Sequence, residues 1–463
     1  MKYDFVIIGG GPGGYTAAIH AAKKGKEVAL IEKHKIGGTC LNWGCIPTKA
    51  LLHTVEVYNA AKHSQAFGLE VKEAVVNWEQ AQKNKEEIVQ SLTDGVESLL
   101  EKNGVTIYKG NAAFKSEDTV EITTENGKEE IQGEKIIIAA GSEPIMIPIP
   151  GHDLEGILTS KETLELEEVP KSMAIIGGGV IGIELGYIYH SLGTEVTVIE
   201  MLPQILPRED EDLAQSLTEI LEEKGMKILT DCRVSEIEKA SDGFSLHYQM
   251  GGSSEELPVE KVLMAVGRKP EVAWLDSLAL EMEGPGIKVD YQMKTNIPNV
   301  YAIGDVTGKY MLAHTASHQG IVAVEDALGH KMSMKGQPVP SCLYIEPEAA
   351  SVGLTEKEAR DQYRGEVSVS YFDLQMNGKA LTIGKPLGFI KIITEKKWNE
   401  IVGVHILGPK ATELIAEAVL ALRLECTAEE LAHTIHAHPT LSEAVMEASA
   451  GIMGEAIHAL SSE

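Results

Sequence analysis

The sequence is poor in cysteine, in aromatic side chains and in positive charge. Five cysteines in 463 residues are too few for a framework of structural disulfides, so any disulfide here is expected to be redox-active. Aromatic residues make up 5% of the chain, which leaves aliphatic side chains to fill the core. Lysine and arginine number 41 against 69 acidic residues, a formal net charge of −28. Such a surface repels phosphate backbones and anionic bilayers, and neither nucleic acid nor a membrane is expected as a partner. No stretch approaches the ~20 apolar residues that cross a bilayer. Met1-Lys2-Tyr3-Asp4 runs straight into a strand-like Phe5-Val6-Ile7-Ile8, without the pattern of a secretory signal. A cytoplasmic location is expected, or the mitochondrial matrix for a chain already processed. What is present is a globular composition, 43% hydrophobic and 24% charged, long enough for about three domains at roughly 150 residues each.

A long-range repeat organises the chain. Asp4-Phe5-Val6-Ile7-Ile8 leads into Gly9, Gly11 and Gly14, and Met173-Ala174-Ile175-Ile176 leads into Gly177, Gly179 and Gly182. Each copy is an apolar strand entering G-x-G-x-x-G. A second strand follows in each, Val28–Ile31 and Val196–Ile199, and ends on an acid. Glu32 stands 23 residues beyond Gly9, and Glu200 stands 23 beyond Gly177. In this spacing the first glycine makes the turn, the second admits a pyrophosphate and the third lets helix pack on strand. The helix N-terminus then faces the phosphates. One copy alone fits many tight turns; two copies with equal spacing indicate two dinucleotide sites. A terminal glutamate accepts hydrogen bonds from a ribose diol and repels a 2′-phosphate, so Glu200 favours NAD over NADP.

Directly after Glu32 come Cys40 and Cys45. Five residues of straight helix rise about 7.5 Å, beyond the ~4.4–6.8 Å between bridged Cα atoms, so a disulfide requires a bent backbone, for which Gly44 supplies the freedom. Pro47 suits a first helical turn, which sets Cys45 at a helix N-terminus where the dipole favours a thiolate. Two inert thiols, or half a zinc site completed by His34 and His53, are the other readings of the spacing; no metal is expected. A redox pair so close to the first acid gives the first site to a flavin and leaves the second to NAD.

The element Gly37-Gly38-Thr39-Cys40-Leu41-Asn42-Trp43-Gly44-Cys45-Ile46-Pro47-Thr48-Lys49 resembles that of the pyridine nucleotide-disulfide oxidoreductases, and the resemblance spans the chain. It implies an α/β fold with two doubly wound dinucleotide-binding domains and a C-terminal α+β dimerisation domain. The expected division is 1–148 for FAD and the disulfide, 149–272 for NAD, 273–342 for a central domain completing the FAD site, and 343–463 for dimerisation. Tyr301-Ala302-Ile303-Gly304-Asp305 resembles the family's second flavin motif, with the aspartate on the ribityl chain. Further FAD contacts are implied at Lys49, Ala113, Gly141, Met311, Leu312, Ala313 and His314, and NAD contacts at Val234 and Gly267. His438 with Glu443 resembles the family's base, which reaches the cysteines of the other subunit and so implies a homodimer. Lys49 is expected to pair with Glu184 beside the flavin.

Within the family, the last cysteine is Cys426 and the tail Ala459–Glu463 has no vicinal pair, unlike mercuric reductases. Ile19 stands where glutathione reductases carry an arginine, Val180 where they place a tyrosine, and Glu200 where they read NADP. Oxidation of protein-bound dihydrolipoamide with NAD is therefore expected. The carrier would be a lipoyl domain of a 2-oxoacid or acetoin dehydrogenase complex, or a glycine-cleavage carrier protein. A glutathione-reductase-like enzyme acting on another small disulfide is the alternative. Trp43, Ala140 and the pair His318-Gln319 depart from the family's commoner residues.

Overall fold

The computed structural model describes residues 1–459. Its first sheet is built on parallel strands Lys2–Ile8, Val28–Glu32, Thr106–Lys109 and the second half of Gly127–Ile138. The apolar run Phe5–Ile8 is buried on both faces, as parallel strands covered by helices must be. Each such side chain contributes about 1.5–3 kcal/mol through burial. A late strand, Val300–Ala302, joins this sheet in parallel register on Ile136–Ile138. The segment that follows the second glycine-turn unit thus returns to the first unit and delivers Gly304 and Asp305 to the end of its sheet.

The second unit repeats the plan: Ser172–Ile176, Glu195–Ile199, Lys227–Leu229, Lys261–Met264 and Ile157–Leu158 form a parallel five-stranded sheet. A three-stranded antiparallel sheet, Arg233–Ala240, Gly243–Met250 and Ser253–Val259, extends from it. The two units are joined where Ser142–Pro144 pairs antiparallel with Arg268–Pro270.

The C-terminal sheet is antiparallel throughout, in the order Ser341–Leu343, Glu348–Gly353, Ile401–Gly408, Phe389–Glu395, Val367–Asp373. Its first strand begins at Ser341, so the division expected at residue 343 falls inside that strand. Helices Ala411–Arg423 and Glu443–Ile452 pack against the sheet through Ile415, Ala418, Ala444 and Val445. Among the described residues no helix is long and apolar enough to cross a membrane.

Candidate active site

The two glycine turns are nearly superimposable in their chemistry. Gly9 and Gly177 have φ of +109° and +106°, and a Cβ on either would strike the carbonyl of Ala139 or Ala265. A Cβ on Gly14 would meet the Gly9 oxygen at 1.8 Å, and one on Gly182 the Gly177 oxygen at 2.4 Å. The middle glycines differ. Gly11 and Gly179 have ordinary extended backbones. A Cβ on Gly11 would find its nearest neighbour at 4.0 Å, and one on Gly179 would touch nothing. Protein packing does not require glycine there; a ligand lying against the backbone does, as a pyrophosphate would. The acids also match: Glu32 accepts from Gly10 N and Glu200 from Gly178 N, both at 2.7 Å, and each second oxygen accepts a further backbone N–H, from His34 at 2.6 Å and Leu202 at 2.8 Å. Each carboxylate therefore fixes its glycine loop.

Between the first acid and the next strand the chain forms helix Gly38–Trp43 and helix Cys45–Lys62, with Gly44 as the bend. A Cβ at Gly44 would meet the Thr39 oxygen at 2.8 Å, so the close approach of the two helices depends on glycine. Cys45 is the first residue of the second helix. The two thiols are free and share a hydrogen bond. That bond and the Lys49 charge outweigh burial and Glu184, and lower the Cys45 thiol to about 7. The same bond, with burial, pushes Cys40 far above the thiol range. Tyr15 lies in the field of both sulfurs, its phenol raised first by burial and then by their charge.

Lys49 donates to both oxygens of Glu184, at 3.0 and 2.8 Å, although the two are 135 residues apart in sequence. Glu184 also accepts from Tyr344 N at 3.0 Å, and the ammonium stands 4.4 Å from the Tyr344 ring centroid. At the junction of the units, Arg268 Nε donates to Ser142 Oγ at 2.8 Å and its Nη2 to Ser142 O at 2.6 Å. Ser142 Oγ in turn donates to Asp305 at 2.5 Å. The amide of Gly304 donates to Gln319 at 2.7 Å. Ser142, Arg268, Gln319 and Tyr344 were not singled out as site residues from the sequence; Gln319 was noted only as a departure.

These groups line one cleft of about 2290 Å³, which runs from Glu32 and Lys33 past the cysteines to Glu200 and Val234. Gly9, Gly11, Lys49, Gly141, Gly304, Asp305, Met311, Leu312, Ala313 and His314 all open onto it, as do Gly177, Gly179, Glu184 and Gly267. Gly14 and Gly182 stand behind the wall as packing glycines. The strand Asn111–Phe114 lines the cleft at Asn111 and Ala112, and the exposed Ala113 follows them in the chain. Ile19 does not line the cleft but packs on the core of the first unit.

His438 and Glu443 are also outside this cleft. Nδ1 of His438 lies 2.9 Å from a Glu443 oxygen, and the imidazole is 79% exposed. Glu443 holds its other oxygen on Thr440 N at 2.7 Å. Burial would raise its pKa, but this bond and the histidine hold it below the usual range. His438 and Pro439 are joined by a cis peptide, and Glu443 is the first residue of the helix that follows. Among the described residues no cluster of His, Cys, Asp and Glu has the makings of a metal site.

A family model described as pyridine nucleotide-disulphide oxidoreductase matches residues 3–320, and the dimerisation domain of the same family matches residues 339–449. The chain belongs to the pyridine nucleotide-disulphide oxidoreductases: it is a flavoprotein that works with FAD and NAD. Its dimerisation domain supports a homodimer. Among curated relatives, a dihydrolipoyl dehydrogenase of Bacillus subtilis (strain 168) is 43% identical over 460 residues, covering 98% of this chain and 99% of its own. One from Thermus scotoductus is 43% identical over 465 residues, covering 99% of each. Of solved structures, LpdA from Mycobacterium tuberculosis has a TM-score of 0.89 at 26% identity, covering 97% of this chain and 99% of its own. The HOCl-induced flavoprotein disulfide reductase RclA of Escherichia coli reaches 0.86 at 29%, with the same coverage.

Proposed function

We propose that the chain oxidises protein-bound dihydrolipoamide to lipoamide, with NAD⁺ as acceptor, through the Cys40/Cys45 pair. The observation that carries this reading is the placement of the two thiols: Cys40 and Cys45 flank the Gly44 bend on the wall of the cleft, with Cys45 the first residue of the helix whose Lys49 binds Glu184. When bound, FAD in the first unit and NAD in the second supply the relay that takes two electrons from the dithiol to a diffusible acceptor. Gly9, Gly11, Glu32 and Asp305 would hold the first, and Gly177, Gly179, Glu200 and Val234 the second.

The protein's own part is thiol exchange and proton transfer. A thiolate of dihydrolipoamide attacks the sulfur of Cys40 in the disulfide form, the Cys40–Cys45 bond breaks, and Cys45 leaves as a thiolate. A low thiol pKa makes Cys45 the better leaving group and therefore directs attack to Cys40. The second substrate sulfur then displaces Cys40, and lipoamide departs oxidised. His438 Nε2 takes the proton from the attacking thiol, while Glu443 on Nδ1 fixes the tautomer and raises the basicity of the ring. His438 is remote from the cleft of its own chain, so it serves the cysteines of a second copy, and two half-sites make one centre. Ile435, 97% exposed three residues before His438, lies on the face that the second copy would cover.

The carrier is a lipoyl domain of a 2-oxoacid or acetoin dehydrogenase complex, or a glycine-cleavage carrier protein, and the setting is the cytoplasm. Parallel assays of dihydrolipoamide with NAD⁺ and of glutathione disulfide with NADPH test the reading. Turnover is expected in the first; activity confined to the second would overturn it.

A further inference from the structure

One polar row crosses the whole C-terminal sheet. Ser341 pairs with Ser351, Ser351 with His405, His405 with Lys391 and Lys391 with Tyr371, one residue from each of the five strands. A polar line across the middle of a sheet is costly unless something satisfies it. An acidic arm of the second nucleotide unit does so for every member but His405, whose Nε2 lies 3.0 Å from Leu354 O and whose buried Nδ1 has no hydrogen-bond partner among the described residues. Both oxygens of Glu209 accept, one from Ser341 Oγ at 2.6 Å and the other from Ser351 Oγ at 2.5 Å. Asp210, 2% exposed, accepts from Lys391 Nζ at 2.7 Å and from Glu356 N at 2.8 Å. Asp212 accepts from Lys391 and from Tyr371 Oη.

Lys391 is 1% exposed; burial would drive its pKa down, but these hydrogen bonds and Glu356 hold it above the usual lysine range. Removing either side of such a pair leaves an unpaired buried charge. The arm leads to the nucleotide site. Leu206, four residues before Asp210, donates its amide to Gly178 O at 2.9 Å, inside the glycine turn. Ile205 lies against Gly178 from the other side.

We infer that Lys391 is a positioning residue for the pyridine nucleotide: through Asp210 and the arm 205–210 the C-terminal sheet holds the second glycine turn in place, and with it the nucleotide's approach to Lys49 and Glu184. The inference rests on the proposed function for its second substrate only. The test uses the flavin-loaded dimer with Lys391→Met. The dissociation constant for NAD⁺, measured by calorimetry, and the KM for NADH are expected to rise about tenfold, with flavin reduction by dihydrolipoamide changed less than about twofold.

Tyr371→Phe removes only the hydrogen bond to Asp212 at the solvent edge of the row; it should show the same split at about twofold, and it carries the test if Lys391→Met does not accumulate. A lowered Tm with unchanged NAD⁺ affinity, or equal losses in both half-reactions, would overturn the inference and leave Lys391 a purely structural interlock. Failure of the wild-type protein to respond to dihydrolipoamide would instead overturn the substrate reading, and the NAD⁺ and NADH measurements would still decide the role of Lys391.

Discussion

The two nucleotide units share a scaffold down to the 2.7 Å bond between acid and glycine turn, yet they are built for different work. The difference lies in what each inserts after its acid. The first unit inserts two helices that meet at Gly44 and place Cys40 and Cys45 against the cleft. The second inserts a short acidic arm that ends in helix Glu211–Glu223 and grips another domain. A dinucleotide turn therefore sets what is held, and the inserted segment sets what is done with it.

The sharpest break of this comparison is in the inserted cysteines. Cys45→Ser should lower dihydrolipoamide oxidation on the order of 10⁵-fold in steady-state assays while leaving NADH binding in the second unit intact. His438→Gln should cost about 10²–10⁴-fold in the dithiol half-reaction by stopped flow and leave reduction by NADH unchanged. Mixing this variant with Cys45→Ser chains would restore activity in the heterodimers if His438 serves the other chain.

The glycines separate ligand from scaffold. Gly182→Ala should destabilise the protein by about 1–3 kcal/mol in denaturant unfolding, because its Cβ has no room against Gly177. Gly179→Ala should leave stability unchanged and weaken NAD⁺ binding, because its Cβ meets no protein atom. If the two variants behave alike, the assignment of the middle glycine to a ligand is wrong. Glu200→Ala should lower the preference for NAD over NADP about tenfold. It should also loosen the turn, since Glu200 holds Gly178 and Leu202.

The smallest effect concerns pH. With Cys45 lowered to about 7, the thiolate of the dithiol form should be half present near pH 7, increase above it and fade as pH drops. A pH titration of its absorbance in the reduced protein reads this directly, and loss of the Lys49 charge in Lys49→Met should move the midpoint upward.

The first-unit site was legible in sequence wherever its chemistry is local in the chain. The glycine turns, their acids and the Cys45 helix start follow from spacing alone. Lys49 with Glu184 joins distant segments and was readable only through family resemblance. The clamp of Arg268 on Ser142 and Asp305 depends on how two units dock, and the polar row from Ser341 to Tyr371 on strand register; neither leaves a periodicity to find.

The central claim is that Cys45 is the thiolate facing the flavin, and an anaerobic titration of the flavin-loaded protein with NADH tests it most directly. Addition of two electrons should generate long-wavelength thiolate-to-flavin absorbance in the wild-type protein; Cys45→Ser should lack it in every state, and Cys40→Ser, which has no disulfide to reduce, should show it already in the oxidised protein. A two-electron-reduced protein without that absorbance, or one that loses it only in Cys40→Ser, would contradict the assignment.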